Sequence, residues 1–106
     1  MRTYKEIIGG TIEDAEKRFP WLKKATFSDA TINITAFLLT WDGGTWKGGT
    51  WEYGIWKDGT WEDGTWEYGI WEDGTWKKGL MWDNLSQEHL EVMRKNGKFK
   101  KIGDEK

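Results

Sequence analysis

Paired carboxylates are the residues of this chain with the clearest potential for acid–base chemistry. Glu62-Asp63 and Glu72-Asp73 each set two acids side by side, and a positioned carboxyl group can act as a general acid or base. Both pairs fill the variable positions of a repeated unit, so we interpret them as part of a solvated outer face. Because the chain has one histidine and no cysteine, it has no nucleophile–base set. We predict a protein that is not an enzyme and has no catalytic residues.

Metal, cofactor and membrane binding are not indicated either. The single histidine, His89, leaves no histidine-based metal cluster, and the absence of cysteine removes thiolate ligands. The glycines recur with the repeat, and no G-K-[ST] follows them as a phosphate-binding loop would require. The first ten residues contain no apolar signal region, and no apolar run is long enough to span a membrane. We expect no metal, no cofactor and a cytoplasmic location.

A five-residue repeat over residues 41–80 organises the chain. Each unit reads W-x-x-G-[TIL], and the units follow one another without an insertion. The tryptophans are Trp41, Trp46, Trp51, Trp56, Trp61, Trp66, Trp71 and Trp76, and the glycines are Gly44, Gly49, Gly54, Gly59, Gly64, Gly69, Gly74 and Gly79. A period of five fits neither an amphipathic helix nor a simple alternating strand. It predicts very short strands joined by corners, which together form a β-solenoid.

Alternation along each short strand predicts which side chains point inward. The residue after every repeat tryptophan is charged, and eight charges cannot be buried without partners. The tryptophans, and the glycines two positions before them, must therefore point inward as the structural core. Tyr53 and Tyr68 fall on outer corners as candidate surface contacts. Each buried indole N–H needs an acceptor, for which the backbone carbonyl groups of the coil are candidates.

The repeated unit resembles that of the pentapeptide-repeat family, in which a small, a variable and a large central apolar residue are followed by two polar residues. Here G-T-W-x-x matches with glycine in the small position and tryptophan in the central one. Residues 25–29 and 30–34 match the same frame with alanine, residues 36–37 continue it, and the phase slips once near 38–40. The resemblance covers residues 25–81. It implies a right-handed β-helix with four units in each square coil.

The number of faces per coil can be tested on the outer charges. Four faces stack residues twenty apart, whereas three faces stack residues fifteen apart and give mostly complementary pairs, such as Asp42 over Lys57. Each such pair contributes only about 0.2–1 kcal/mol. A square coil offers more interior volume for tryptophan, and we give volume the greater weight. We therefore expect four faces and keep three as the alternative.

The flanking segments predict helices that close the two ends of the solenoid. Thr11 and Asp14 are spaced as a capping box for a helix that must stop before Pro20. Ser86 is a suitable N-cap for a second helix, which would carry His89 and end at Asn96-Gly97. Both caps would protect strand edges that an open solenoid exposes.

These features divide the chain into three parts. We predict an N-terminal helical cap over residues 1–24, a pentapeptide-like β-solenoid over 25–81, and a C-terminal helix with a charged tail over 82–106. A competing interpretation is the membrane-occupation-and-recognition-nexus repeat, built from successive β-hairpins. Residues 53–59 are similar to its Y-x-G-x-W-x-x-G core but lack one residue of it, and a strict five-residue spacing fits hairpins poorly.

The predicted function is that of a non-enzymatic structural or protein-interaction module, from a bacterial or phage-like source. Its protein partner is unknown, and a homodimer through an end cap is one way to protect an edge. The first alternative is a DNA-mimic inhibitor of a DNA-processing enzyme, because acidic rod-like members of the pentapeptide-repeat family bind topoisomerases. The second alternative is a protein that stacks sugars or bases on aromatic residues. With a net charge of -2, neither nucleic acid nor a membrane is an expected partner.

Overall fold

The computed structural model describes residues 2–35 and 38–102, and the fold is mainly β. Strands contain 55% of these described residues and helices 12%, which confirms the class predicted from the repeat. The helical segments are α1 (Ile12–Arg18) and a short 3-10 helix (Pro20–Lys24). The strands are β1 Arg2–Ile8, β2 Thr26–Ile34, β3 Leu39–Gly48, β4 Thr50–Trp51, β5 Ile55–Trp56, β6 Thr60–Trp61, β7 Thr65–Trp66, β8 Ile70–Trp71, β9 Thr75–Trp76, β10 Leu80–Asp83, β11 Glu88–Lys95 and β12 Lys98–Lys101.

The strands form two sheets that contain both parallel and antiparallel pairs. The first runs β1-β2-β3-β5-β8, with β6 also beside β3 and β9 beside β6, and the second runs β12-β11-β10-β7-β4. Pairs within the repeat are parallel. The antiparallel pairs lie at the two ends, where β2 joins β3 and where β10, β11 and β12 follow one another. The repeat is therefore the central part of the fold.

Parallel pairs within the repeat join residues fifteen apart. Trp41 is the partner of Trp56, and Trp46 is the partner of Trp61. The backbone N–H of Lys57 donates to the carbonyl oxygen of Trp41 over 2.8 Å, and equivalent bonds recur every five residues as far as Lys77. The expected register of twenty residues, and with it the preference for four faces per coil, is wrong.

Edge-to-face packing explains how the tryptophans fit a period of three units, although we expected their volume to require four. The rings of Trp41, Trp46 and Trp51 meet one another at interplanar angles of 75–81°, with centroids 5.6–6.3 Å apart. This arrangement suits the charge distribution of aromatic rings. Because each ring presents its edge to the next, three successive indoles pack together within one fifteen-residue period, and the twenty-residue period that we expected from their volume is not needed.

Residues 25–34 are not early copies of the repeat, as their spacing suggested. They belong almost entirely to the single strand β2, which pairs antiparallel with β3. The five-residue spacing of Phe27 and Ile32, which are both buried, arises from an irregularity between Ser28 and Thr31. There Asp29 has a φ of 57°, and such a bulge shifts the alternation of side chains by one residue. Residues 36–37, the third proposed copy, lie outside the described residues.

The predicted C-terminal helix is also wrong. Residues 88–95 form β11, and the Asn96-Gly97 pair, read as a helix stop, connects β11 to β12 with φ values of 55° and 76°. Asn-Gly with two positive φ angles is the usual two-residue turn of a β-hairpin. Ser86 is not a helix N-cap, since its N–H and Oγ both donate to Oδ2 of Asp83 in the turn before β11.

The N-terminal segment contains the predicted helix and a strand that was not predicted. Thr11 and Asp14 form the capping box of α1, and the helix ends before Pro20, as expected. Before it, β1 lies parallel to β2, so the segment is not entirely helical. Trp21 in the 3-10 helix packs on Trp51 of the repeat, with ring centroids 4.9 Å apart. The 3-10 helix thus contacts the tryptophan core.

Candidate functional site

Backbone geometry requires glycine at the corner of each repeat unit. The eight repeat glycines have φ angles between 104° and 149°, a region that side chains other than hydrogen disfavour. A Cβ atom added to Gly59 would lie 2.6 Å from the carbonyl oxygen of Gly44 and 3.0 Å from Nε1 of Trp41. The last five of these glycines, from Gly59 to Gly79, each pack on the repeat glycine fifteen residues earlier and against an indole ring, whereas Gly44, Gly49 and Gly54 pack on Asp29, Ala25 and Leu39.

The repeat tryptophans form three stacked columns inside the fold. Neighbours in a column are fifteen residues apart, with parallel rings at 3–8° and centroids separated by 4.9–5.4 Å. The columns consist of Trp41, Trp56 and Trp71; Trp46, Trp61 and Trp76; and Trp51 and Trp66. All are buried except Trp71, which is partly exposed. The tryptophans thus provide packing area inside the protein rather than an open stacking surface.

Most indole N–H groups in this core have no hydrogen-bond acceptor in the described part of the chain, contrary to expectation. The repeat residues concerned are Trp41, Trp46, Trp51, Trp56, Trp61 and Trp71. The nearby carbonyl oxygens of the corners and strands already accept backbone N–H groups of the next turn, for example Gly49 from Thr65. At the end of the repeat an indole does find an acceptor, since Trp76 Nε1 donates to the carbonyl of Val92 over 3.1 Å.

Aromatic and cationic side chains cover the C-terminal end of the tryptophan columns. The ring of Phe99 meets Trp76 edge to face at 5.0 Å, and it meets Trp71 in the same way at 5.6 Å. The guanidinium of Arg94 lies 4.7 Å from the Phe99 ring centroid and 5.7 Å from that of Trp71. The β11–β12 hairpin, rather than the predicted helix, therefore covers this end.

The acidic pairs singled out for possible catalysis have a structural role at the corners. Asp63 and Asp73 each accept a hydrogen bond of 2.8 Å from the backbone N–H of the glycine that follows, and Asp58 does the same. Asp63 also lies 3.7 Å from Nζ of Lys78, its equivalent in the next turn. Glu62 and Glu72 are not buried. The aspartates of the two pairs thus form corners, and Asp63 also makes a surface charge contact.

The fifteen-residue register arranges the charged residues that follow the tryptophans in three outer columns. Two of these columns alternate in sign: Asp42, Lys57 and Glu72 in one, and Lys47, Glu62 and Lys77 in the other. The third column instead stacks Glu52 directly beside Glu67, since Trp51 and Trp66 are partners. This column differs from the other two in having two negative charges as direct neighbours, an arrangement that destabilises a sheet.

The two predicted surface tyrosines lie beside these two glutamates. Tyr53 and Tyr68 are 40% and 57% exposed. Together with Thr50, Glu52 and Glu67 they line a shallow groove of about 430 Å³. We call Glu52, Tyr53, Glu67 and Tyr68 the aromatic–acidic strip. The strip combines planar apolar faces with carboxylates on one exposed surface.

His89 and Trp82 lie at the C-terminal edge of the strip, and their proximity to this surface was not predicted from the sequence. His89 Nε2 lies 3.0 Å from Oε1 of Glu67, and its ring meets Trp82 at a centroid distance of 5.0 Å. Trp82 lies fifteen residues after Glu67, in the outer position that charged residues occupy elsewhere in the repeat. Assigning His89 to an exposed helix hid this contact, which requires β11 to fold back beside β10.

A second polar cluster ties β1 to α1. Arg2 binds Glu16 through two hydrogen bonds of 3.0 and 3.2 Å, and the hydroxyl of Tyr4 donates to Glu16 Oε2 over 3.1 Å. Burial, followed by the charge of Glu16, raises the pKa of Tyr4 well above its usual value. Glu16 is itself buried. Every charge-bearing group of the cluster has a partner within it, so the cluster is a structural clamp.

Two further carboxyl groups have lowered pKa values because of hydrogen bonds in turns. The backbone and side-chain hydrogen bonds of Thr11 lower the pKa of Asp14, and those of Ser86 lower the pKa of Asp83. Both residues fix local chain geometry. Within residues 2–35 and 38–102, no three metal-binding side chains are grouped together, and no helix combines the length and apolar character needed to cross a membrane.

Comparison of the chain with protein-family models, with curated proteins and with solved structures gave no significant match in any of the three. The resemblance to the pentapeptide-repeat family therefore rests on the five-residue unit alone. The square coil that this resemblance implies differs from the fifteen-residue register found here.

Proposed function

We propose that the protein is a non-enzymatic interaction module built on a short, right-handed, three-faced β-solenoid. The N-terminal segment, with β1, α1 and the 3-10 helix, and the β11–β12 hairpin act as its caps. The observation that carries this proposal is the parallel register of fifteen residues between successive turns. This register stacks equivalent outer positions in ladders, so that short motifs of the repeat become continuous surface strips.

The distribution of variation in the repeat supports a role for the outer surface. Tryptophan and glycine recur in every unit and are used for packing and corners. The two positions between them change from unit to unit and lie on the outside. A protein that uses a uniform core to present a varied surface is suited to binding another macromolecule, as other repeat proteins are.

The two alternative functions have weaker support. A DNA mimic needs a continuous acidic surface, whereas two of the three outer columns alternate in sign. Stacking of sugars or bases would have to use Tyr53 and Tyr68, because the repeat tryptophans are largely buried. The carboxylates beside these tyrosines disfavour a phosphate-bearing ligand. A protein surface is therefore the partner that we favour.

The proposal can be tested by affinity capture from native-host extract with two forms of the full chain. One form is unchanged. In the other, the outer residues Glu52, Lys57, Glu62, Glu67 and Lys77 are replaced by serine while every tryptophan and glycine is kept. We expect one protein to be retained in stoichiometric amount by the unchanged chain and lost from the altered chain. Equal retention by both forms, or no retained protein, would count against an interaction surface on the repeat.

A further inference from the structure

We propose that the aromatic–acidic strip binds an arginine-containing, extended segment of a partner protein. The inference rests on the proposed function and specifies the chemistry of the partner. It uses three features that occur together on this strip: two exposed tyrosine rings, two glutamates of like charge in register, and a groove between them.

The tyrosines differ in how firmly they are held, and together they provide a preformed platform. Tyr53 packs against Phe19 and Trp21, with centroid distances of 5.6 and 5.8 Å, so one side of its ring is supported. Tyr68 makes no ring–ring contact with another aromatic residue in the described part of the chain and is 57% exposed. A ring that is held in place by the repeat and has one free face can accept a planar cation with little loss of entropy.

The charge of the strip indicates a cationic occupant. Glu67 contacts His89, but Glu52 forms no ion pair within residues 2–35 and 38–102. Adjacent parallel strands lie about 4.8 Å apart, so Glu52 and Glu67 repel each other unless a cation lies between them. The chain places lysines in the other two outer columns and none in this one, which leaves the strip complementary to a basic partner.

Arginine fits this surface better than lysine does. Its guanidinium group is planar, stacks on an aromatic face and donates two parallel hydrogen bonds to a carboxylate. The strip offers an aromatic face and a carboxylate side by side in each of two successive turns. An extended peptide with arginine at alternate positions can place successive guanidinium groups on one side of its backbone. Two of them would then engage the two Tyr–Glu pairs.

The binding can be measured by titrating the ¹⁵N-labelled full chain with the peptide acetyl-Gly-Arg-Gly-Arg-Gly-amide. We expect saturable amide shifts concentrated at residues 52–54 and 67–69, and weaker binding at high salt because exposed charges are screened. Replacing both arginines by lysine should weaken binding about threefold, since the stacking and bidentate contacts are lost. Equal binding of the lysine peptide would contradict the stacking geometry.

Substitutions in the strip have matched controls elsewhere in the repeat. Combined Glu52→Gln and Glu67→Gln changes should weaken binding of the arginine peptide about tenfold, and Tyr68→Ala should weaken it about threefold. The controls are Glu62→Gln and Glu72→Gln for charge, and Asp73→Ala for the corner position equivalent to Tyr68. Circular dichroism should show that all variants keep the fold, because every changed side chain is on the surface and Asp73→Ala removes a single exposed hydrogen bond, the one from the Gly74 N–H.

Three results would overturn the inference. They are an absence of saturable shifts with the arginine peptide, equal weakening by the control and strip substitutions, and a concentration-dependent dimer that Tyr68→Ala dissociates, since the strip would then bind a second copy of the chain. If strip variants still retain the partner captured by the unchanged chain, the strip proposal fails while the proposed interaction function stands.

Discussion

The indole of Trp41 lies parallel to the indole of Trp56, at an angle of 8° and a centroid distance of 4.9 Å. The two residues are fifteen apart in the chain and are direct partners in adjacent parallel strands. The same relationship repeats down the core as far as Trp76, the last tryptophan of the repeat. It follows that repeat residues fifteen apart are neighbours in the core, and that outer residues fifteen apart are neighbours on the surface.

Removal of a central indole should strongly destabilise the protein. Trp56 is fully buried between Trp41 and Trp71, and Trp56→Ala should lower the free energy of unfolding by about 3–5 kcal/mol through lost burial and a residual cavity. Urea denaturation followed by far-UV circular dichroism measures the loss. Trp82→Ala, at a partly exposed outer position, is the matched control and should cost much less. Similar losses for the two variants would argue against a tryptophan core.

Replacement of glycine by alanine should be tolerated at Gly48 and not at Gly59. Gly59→Ala places Cβ against the Gly44 carbonyl at a φ of 115° and should destabilise the fold by about 2 kcal/mol or more. At Gly48 an added Cβ meets nothing within 4 Å, so Gly48→Ala should change stability by less than about 0.5 kcal/mol. Thermal unfolding of both variants tests this difference, and an equal response would contradict the corner geometry.

The Glu16 clamp should contribute to the attachment of the N-terminal segment. Glu16→Ala removes the carboxylate that accepts from Arg2 and Tyr4 and should cost about 1–3 kcal/mol, because buried hydrogen-bonding groups lose their partner. Glu13→Ala, on the exposed side of the same helix, should have little effect. Hydrogen exchange of residues 2–8 should increase in the first variant alone. Unchanged exchange there would show that β1 is held by its pairing with β2 instead.

The capping box should make stability depend on acid pH. Because hydrogen bonds from Thr11 lower the pKa of Asp14 below its usual value of 3.8, the folded state favours the ionised form. The resulting stabilisation is present above pH 3.8 and is lost as the pH falls through the folded-state pKa. Asp14→Asn should therefore be less stable than the unchanged chain at neutral pH and differ less from it in acid. Thr11→Ala should weaken the same dependence; a constant difference across this pH range would argue against the capping box.

The repeat period and the position of the charges predicted much of the architecture. A period of five with glycine in each unit predicted very short strands, which form from Thr50 to Trp76, whereas the first two units lie in the ten-residue strand β3. The charge after each tryptophan predicted inward indoles. The coil size was misjudged because total side-chain volume takes no account of ring orientation. Edge-to-face contacts such as Trp41–Trp46, at 75°, let three successive indoles pack within one fifteen-residue period. The complementary outer charges were the better guide.

The C-terminal hairpin shows why local spacing misled the sequence interpretation. Leu85, Leu90 and Met93 suit one face of a helix, but the same segment also alternates, with Leu90 and Val92 on the inner side of β11. The Asn-Gly turn after it decides between the two patterns, since it closes a β-hairpin. The contact of His89 with Glu67 depends on this hairpin, so it could not be inferred from a helical assignment.

The most direct test of the three-unit turn is a pair of engineered cysteines, because the natural chain has none. Thr60 and Thr75 are partners in adjacent parallel strands, with side chains that are not buried. The variant with both residues changed to cysteine should form an intramolecular disulfide under mild oxidation, detected by mass spectrometry of the intact protein, since neighbouring Cα atoms lie within reach of such a bond. Thr60→Cys combined with Leu80→Cys, twenty residues apart, should not form one. The reverse outcome would contradict the fifteen-residue register and support four units per turn.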